Sequence, residues 1–341
     1  MLIHKIDFNY IRIAMKYLTV PLALSVFAFS SLVGVSPTHA QAPSSTLPQQ
    51  KQVLGYYQHS FGDYQITALL DGSNYLSQTL FKNLPAAEIN QILKKYYIHH
   101  SHGIQTSVNA FLVNDGKGLT LIDSGTASCN GPHLGSVYSN LQTSGQKPEQ
   151  VSTILLTHLH PDHVCGISNH GSANFPNATV YISQTELDFW MNPKSVEHLP
   201  QQKRAAFAAT VDKIKKAIAP YQAKDQLKTF KSGDKIHGFH VISSAGHTPG
   251  HFGLSLKSQG QELIFIGDIV HSHSIQFDRP HTVVDFDIDP KKAVETRLKS
   301  FANYAKQGQT IAAPHLPFPG IGHIYSKEGK SYQWMPIHFK D

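Results

Sequence analysis

The sequence predicts a mixed α/β protein, and three observations carry that expectation. Short apolar runs recur between turns built on Gly, Asp and Ser, the pattern of β-strands. Longer stretches with helical periodicity lie between them, and Pro85 and Pro290 stand where two helices would open. Metal-capable side chains crowd together where several of the apolar runs end.

Taken in order, residues 1–40 read as a secretory signal peptide. Lys5, Arg12 and Lys16 make a basic start, Leu18 to Val35 an apolar stretch, and Thr38 and Ala40 a small-residue cleavage pattern. Met15 is an alternative start, and a transmembrane anchor is the competing reading of the apolar stretch. Residues 41–52, QAPSSTLPQQKQ, read as a flexible leader. A single domain is expected over 53–341, exported to the periplasm or secreted, with no membrane anchor once the signal is cleaved. In that domain VLGYYQHS and YQITALLDG flank Phe61-Gly62-Asp63, and SVNAFLVN and LTLIDSG flank Asp115 to Gly118, which predicts two hairpins. PAAEINQILKKYYI between them predicts a helix. VSTILLT, ATVYIS and FHVISSAG predict strands, and FGLSLKSQGQELIFIGD predicts a hairpin turning at Ser258-Gln259-Gly260. Helices are expected over residues 195–219 and from Pro290 to Gly308, and TIAAPH predicts a late short strand.

Composition excludes some functions. With 40% hydrophobic and 15% charged residues the 341-residue chain is of globular type. Its formal charge is +6, and residues 1–40 hold three basic residues and one acidic, so the mature chain carries about +4. Without a Lys/Arg run that mild bias gives no nucleic-acid surface. The expected partner is a small-molecule substrate, and a homodimer is compatible with the chain. Twenty-two histidines against two cysteines point to imidazole chemistry.

TILLTHLHPDHVCG holds the densest cluster: His158, His160, Asp162 and His163 fall within six positions behind a strand. Pro161 biases this stretch away from helix, and in a loop the spacing can turn His158/His160 to one metal and Asp162/His163 to a neighbour. Three more candidates also follow strands: His247 in AGHTPGH, Asp268 in FIGD and His315 in AAPH. Five histidines and two carboxylates suffice for two divalent metal ions of mixed N/O preference, zinc first, manganese or iron as alternatives. His251 and His323 compete with His247 and His315, which come first after their strands. His99, His100 and His102 read as a solvated loop. Phe189, Trp190, Phe277 and Phe318 are expected either in the core or along an apolar pocket.

The combination THLHPDH, GHTPGH, GD and a late His, with LIDSG (Leu121 to Gly125) upstream, resembles the metallo-β-lactamase superfamily over nearly all of the mature chain. That resemblance implies an αββα four-layer sandwich: two sheets face to face with helices outside. It implies that His158, His160 and His247 bind one metal, that Asp162, His163 and His315 bind the other, and that Asp268 bridges them. Asp123 would buttress the histidine loop, or simply cap a strand end.

The implied activity is that of a metallohydrolase in which a metal-bridging hydroxide attacks a carbonyl carbon or phosphorus. Asp162 would ligate and steer that nucleophile. The bridging Asp268 sets the chain apart from true β-lactamases and suits the binuclear branch of glyoxalase II thioesterases, N-acyl homoserine lactonases and methyl parathion hydrolases. Together with the secretory signal, THLHPDHVCG, FPNATVYIS, ELDFW, GDIVHSHSIQF and PHLPFPGIGH most resemble the methyl parathion hydrolase-like subgroup. Esters, lactones and phosphotriesters are therefore the expected substrates. The lactonases carry a tyrosine three positions after the bridging Asp, where this chain has His271, read either as a donor to the leaving group or as a packing residue. A persulfide dioxygenase with one iron, and a non-enzymatic periplasmic metal-binding protein, are the competing readings. Cys165 is expected to pack as a small buried group; a disulfide to Cys129 is the lesser alternative.

Overall fold

A computed structural model describes residues 55–327 and 331–339, so the signal and leader expected over 1–52 lie outside the described residues. Two seven-stranded sheets form the body, and in each the strands lie side by side in sequence order. The first comprises β1 (Tyr56–Phe61), β2 (Tyr64–Leu76), β3 (Ile104–Asn114), β4 (Leu119–Ile122), β5 (Val151–Leu155), β6 (Thr179–Ser183) and β7 (Leu227–Phe230). Strands β1 to β4 are antiparallel, and β4 to β7 run parallel. The second comprises β8 (Lys235–Ile236), β9 (Phe239–Ser243), β10 (Phe252–Ser258), β11 (Gln261–Phe265), β12 (Thr310–Ala312), β13 (Ile321–Lys327) and β14 (Ser331–Pro336). Its one parallel pair is β11 with β12.

The period-2 alternation of strands sorts apolar side chains into layers. On β5, Leu155 packs between the sheets, and Ile154 faces the opposite way. On β11, Phe265 likewise enters the inter-sheet core, where Phe111 and Phe239 meet it, and Ile264 packs outward. Ile154 meets helices α2 (Val137–Thr143) and α5 (Gln201–Gln222) through Leu141, Phe207 and Ile214. Ile264 meets α7 (Pro290–Gln307) through Phe301 and Tyr304. Helix, sheet, sheet and helix thus stack as four layers, the αββα sandwich that the resemblance implied.

The predicted hairpins turn where expected, and α1 (Ala86–Lys95) follows Pro85. Two expectations are corrected, and one element is added. The helix over 195–219 is broken: Pro193–His198 is a 3₁₀ turn, Leu199 is extended before Pro200, and α5 begins only at Gln201. Pro161 does not exclude helix: it opens α3 (Pro161–Val164) at the first position, where a missing N–H costs nothing, while His160 before it is extended. The β13/β14 hairpin had no counterpart in the sequence reading.

Candidate metal centre

Every candidate ligand lies just beyond the carboxyl end of a strand of the inner layers. His158 to His163 follow β5, His247 follows β9, Asp268 follows β11 and His315 follows β12. The parallel pairs β4/β5 and β11/β12 point these ends the same way within each sheet, which gathers residues up to 157 positions apart. Two close approaches need glycine. A Cβ on Gly267 (φ +55°) would come 2.4 Å from His251 Nε2, and one on Gly166 would sit 1.8 Å from the Ser124 carbonyl oxygen.

All seven predicted ligands come together. His158, His160, His247 and Asp268 form one group of convergent ligand atoms, and Asp162, His163 and His315 form another. Asp268 touches both: Oδ2 lies 3.5 Å from His158 Nε2, 3.2 Å from His247 Nε2 and 3.1 Å from His315 Nε2, and Oδ1 lies 3.2 Å from His163 Nε2. Asp162 Oδ2 is 3.7 Å from His163 Nε2 and 3.5 Å from His315 Nε2.

Hydrogen bonds on the outer side of the rings decide which nitrogens face inward as lone pairs. His163 Nδ1 donates to Asp123 Oδ2 at 2.9 Å, His247 Nδ1 to Asp287 Oδ1 at 2.9 Å and His315 Nδ1 to the Ser107 carbonyl at 2.9 Å. The Thr157 hydroxyl has a single proton, which it gives to Asp123 at 2.9 Å; it therefore accepts from His158 Nδ1 at 3.1 Å. Asp123 thus sets the tautomers of His158 and His163 together, which answers the alternative left open for it. With the rings neutral, four Nε2 lone pairs would therefore face the acceptor-only carboxylate of Asp268. His160 Nδ1 adds to the crowding, 3.0 Å from His158 Nε2 and 2.9 Å from His247 Nε2. His163 Nε2 and Asp268 Oδ1 are buried without a hydrogen-bond partner. Acceptors packed against acceptors fit divalent cations, with outer hydrogen bonds orienting the ligands.

Electrostatics agree. Burial alone would raise the Asp268 carboxyl, but the imidazoles of His163, His315 and His158 outweigh it and hold the group well below the carboxylate range. Burial pulls His247 down, yet Asp268 and Asp287 push it up to about 9, whereas burial lowers His160 to about 3. In the metal-free chain, protons on His247 and its neighbours would hold positions that cations take when bound.

His271, three residues past Asp268, belongs to this cluster: its Nε2 is 3.2 Å from Asp268 Oδ2, and its ring stacks on His315. Burial pushes His271 down to about 4, so the ring is neutral at pH 7 and suits a hydrogen-bond donor. His251 is no competitor of His247. Its Nε2 accepts the Asp268 backbone N–H at 2.8 Å and its Nδ1 lies 3.1 Å from the Ser244 carbonyl, so it fixes the backbone of the bridging residue. His323 sits on β13, bonded to the Gln309 carbonyl.

Sequence reasoning missed Asp287 and Glu186. Asp287, 40 residues beyond His247, orients it. Glu186 on α4 (Gln184–Met191) is fully buried and accepts four hydrogen bonds, from Leu159 N–H, Trp190 Nε1, Thr248 Oγ1 and Gly250 N–H. It thereby ties the segment of His158 and His160 to the loop of His247. A buried carboxylate in ELDFW, beside Trp190, was the available signal.

A cavity of about 280 Å³ opens on the cluster. Of the cluster, His160, Asp162, His247, Asp268, His271 and His315 line it; Leu76, Val108 and Phe286 supply apolar surface, and Asn74, Thr106, Asn130 and Thr210 polar surface. Phe189, Trp190, Phe277 and Phe318 do not line it. Phe189 and Trp190 pack with Phe207, Phe277 packs on Phe301, and Phe318 lies half-buried against the inter-sheet core, which decides for the core. The expectation for Cys165 is corrected: it is bonded to Cys129 in a disulfide. The 36-residue separation hides a pairing that tertiary contact makes, because the loop after β4 returns against the segment behind His163.

Comparison with known proteins adds the lineage. The chain is similar to the solved hydrolase AbOPH of the beta-lactamase superfamily, 68% identical with a TM-score of 0.84, covering 85% of this chain and all of that one. It is also similar to AidC, a dizinc quorum-quenching lactonase solved with a product, N-hexanoyl-L-homoserine: 26% identity, TM-score 0.76, 84% of this chain and 99% of that one. The uncharacterized protein YobT of Bacillus subtilis (strain 168) is 29% identical over 143 residues, 42% of this chain; the chain spans about half the length of that curated relative (54%). The sequence profile of the metallo-beta-lactamase superfamily matches residues 103–304, from β3 through most of α7 and across six of the seven clustered ligands. Profile, sandwich and cluster agree, and the chain belongs to the metallo-beta-lactamase superfamily, as one of its hydrolases.

Proposed function

We propose that this chain is an exported binuclear metallohydrolase that cleaves ester, lactone or phosphotriester bonds of uncharged small molecules. One observation carries the reading: a single buried carboxylate, Asp268, faces imidazole lone pairs of two ligand groups at once. His158, His160 and His247 would hold one divalent ion, Asp162, His163 and His315 the other, and Asp268 both, with zinc as the expected metal. The similarity to AidC, a dizinc lactonase, supports that metal choice.

Bound metal ions would supply an acidified water and polarise the substrate oxygen. The chain's own residues do the rest. Asp162, whose side chain is 24% exposed where Asp268 is 2% exposed, reaches the cavity and orients the attacking water by accepting its hydrogen bond. His271 donates a hydrogen bond to the leaving-group oxygen. Leu76, Val108 and Phe286 take the apolar part of the substrate and exclude water around the reacting bond. Among the described lining residues none is a lysine or arginine, so no lining side chain brings a permanent positive charge to a substrate carboxylate. That favours neutral esters, lactones and triesters over a cephalosporin.

Export is supported by the Cys129–Cys165 disulfide, which belongs to oxidising compartments. N-terminal sequencing of the cell-envelope fraction is expected to begin at Gln41. The function is tested by metal content per chain together with turnover of an aryl ester, a γ-lactone, a phosphotriester and a cephalosporin. Two metals and turnover of at least one of the first three are expected. Fewer than two metals, with no turnover of any, refutes the proposal.

A further inference from the structure

Arg297 of α7 takes no part in the steps derived above, although it is only 1% exposed. A cation buried to that degree has to be matched by acceptors. Its Nε donates to the Ile269 carbonyl at 2.7 Å, and its Nη1 donates to the carbonyls of Pro280 and Thr282 at 2.9 and 2.7 Å. Nη2 lies 4.0 Å from Asp287 Oδ2. Burial pulls the guanidinium down to about 10 against the pull of Asp287, so it is still a cation at neutral pH. One planar fork thus joins the residue after Asp268 to the segment 280–287, whose last residue orients His247.

His271 lies where these ties meet. Ile269 stands two residues before it. Gln276, fully buried on α6 (Ile275–Asp278), accepts the His271 N–H at 2.7 Å and the Ser272 N–H at 3.3 Å on Oε1. Its Nε2 donates at 3.2 Å to the Thr282 carbonyl, the same oxygen that Arg297 holds. Nδ1 of His158, His163, His247 and His315 each has a partner, whereas Nδ1 of His271 is buried without one. Beyond the contact of its Nε2 with Asp268, the His271 ring therefore takes its place from its backbone and its neighbours. His247, His315 and Phe286 pack on it, with ring centroids 4.9, 5.1 and 5.8 Å away. Gln276 fixes the backbone, and Phe286 rides on the segment that Arg297 holds.

Resting on the hydrolase reading of this site, we infer that Arg297 is a positioning residue for His271. Its guanidinium holds the Ile269 carbonyl on one side and the Thr282–Gln276 link on the other, and so aims the imidazole at the leaving-group oxygen. The planar fork does this, not the charge alone. A lysine ammonium would keep a cation near Asp287, but it has a single nitrogen where two separate ones meet the carbonyls of Ile269 and Thr282.

The test uses the metal-loaded mature protein with aryl esters and aryl phosphotriesters whose phenol leaving groups span a range of acidity. A donor to the leaving-group oxygen counts most where that oxygen departs least readily. Arg297→Lys is expected to retain its metals and to steepen the dependence of kcat/KM on leaving-group pKa. The fall should be about 10- to 100-fold for the least acidic phenol and progressively smaller for more acidic ones. His271→Ala is expected to give the same dependence, and R297K/H271A no more than His271→Ala alone. Gln276→Met, which cuts the link without touching the cation, is expected to steepen the dependence by a smaller factor. A general weakening of the fold would instead lower kcat/KM alike for every leaving group. Uniform losses across the series, no loss at all, or an effect of Arg297→Lys that adds in full to that of His271→Ala overturns the inference. So does loss of metal from Arg297→Lys, which would place the role at Asp287 and His247, or loss of the fold by circular dichroism in both Arg297→Lys and Gln276→Met. Turnover of neither series by the unmodified protein also overturns it, and the hydrolase reading falls with it only if a γ-lactone is left intact as well.

Discussion

Replacing Glu186 with Gln changes one oxygen for an NH2 group and leaves the shape almost untouched. In the native chain the carboxylate receives two N–H donors on Oε1, from Leu159 and Trp190, and the Thr248 hydroxyl and Gly250 N–H on Oε2, at 2.7 to 3.1 Å. An amide nitrogen at the Oε1 position would face two obligatory donors. At the Oε2 position it faces one, because the Thr248 hydroxyl can turn and accept. The substituted amide would therefore settle with its nitrogen toward Thr248 and leave Gly250 N–H buried and unsatisfied. An orphaned buried donor costs about 1–3 kcal/mol, and exchanging charge-assisted bonds for neutral ones costs about 1 kcal/mol more, so Glu186→Gln is expected to destabilise the fold by about 2–4 kcal/mol. Burial itself raises the Glu186 carboxyl, which offsets part of this and favours the lower end of the range. Urea unfolding of the chelated protein isolates the effect from metal linkage. Metal titration then reads the second consequence, because Leu159 lies between His158 and His160, and Thr248 follows His247. A midpoint within about 0.5 kcal/mol of the native value, with unchanged metal affinity, would refute the claim that Glu186 clamps the two ligand segments.

Other expectations follow from the same geometry. Asp287→Asn keeps an acceptor near His247 but loses the charge and disturbs the Val284 N–H contact at 3.2 Å; metal affinity or kcat is expected to fall about 10- to 100-fold with far-UV circular dichroism unchanged. Gly267→Ala forces a side chain at φ +55° into His251, so it should cost at least about 1–3 kcal/mol in thermal or urea unfolding and shift the Asp268 backbone, measured together with metal content. Chelation should abolish hydrolysis and lower the melting temperature, the lost linkage amounting to about 4 kcal/mol when free metal had stood at 1,000 times its Kd; zinc should restore both.

Much of this centre was legible in the chain itself. A ligand at the end of an apolar strand is a local event, so THLHPDH, AGHTPGH, FIGD and AAPH each announced a candidate, and all seven converge. The hairpins and α7 were equally local, set by turn residues and by Pro290. Prolines were ambiguous: Pro161 opens α3 and Pro200 separates a 3₁₀ turn from α5, and only the neighbouring packing distinguishes such cases. What lay out of reach was pairing between distant segments. Asp287 lies 40 residues from His247, Glu186 lies 62 from Thr248, and Cys129 meets Cys165 across 36, with no spacing rule to connect them. Strand order brings these partners together, and a buried polar group bonds whatever polar group the fold places beside it. Which atoms can ligate a metal is legible in the chain. Which nitrogen of each ring faces inward is a consequence of the fold, because the tautomer of His158, His163, His247 and His315 is set by a neighbour that the fold supplies.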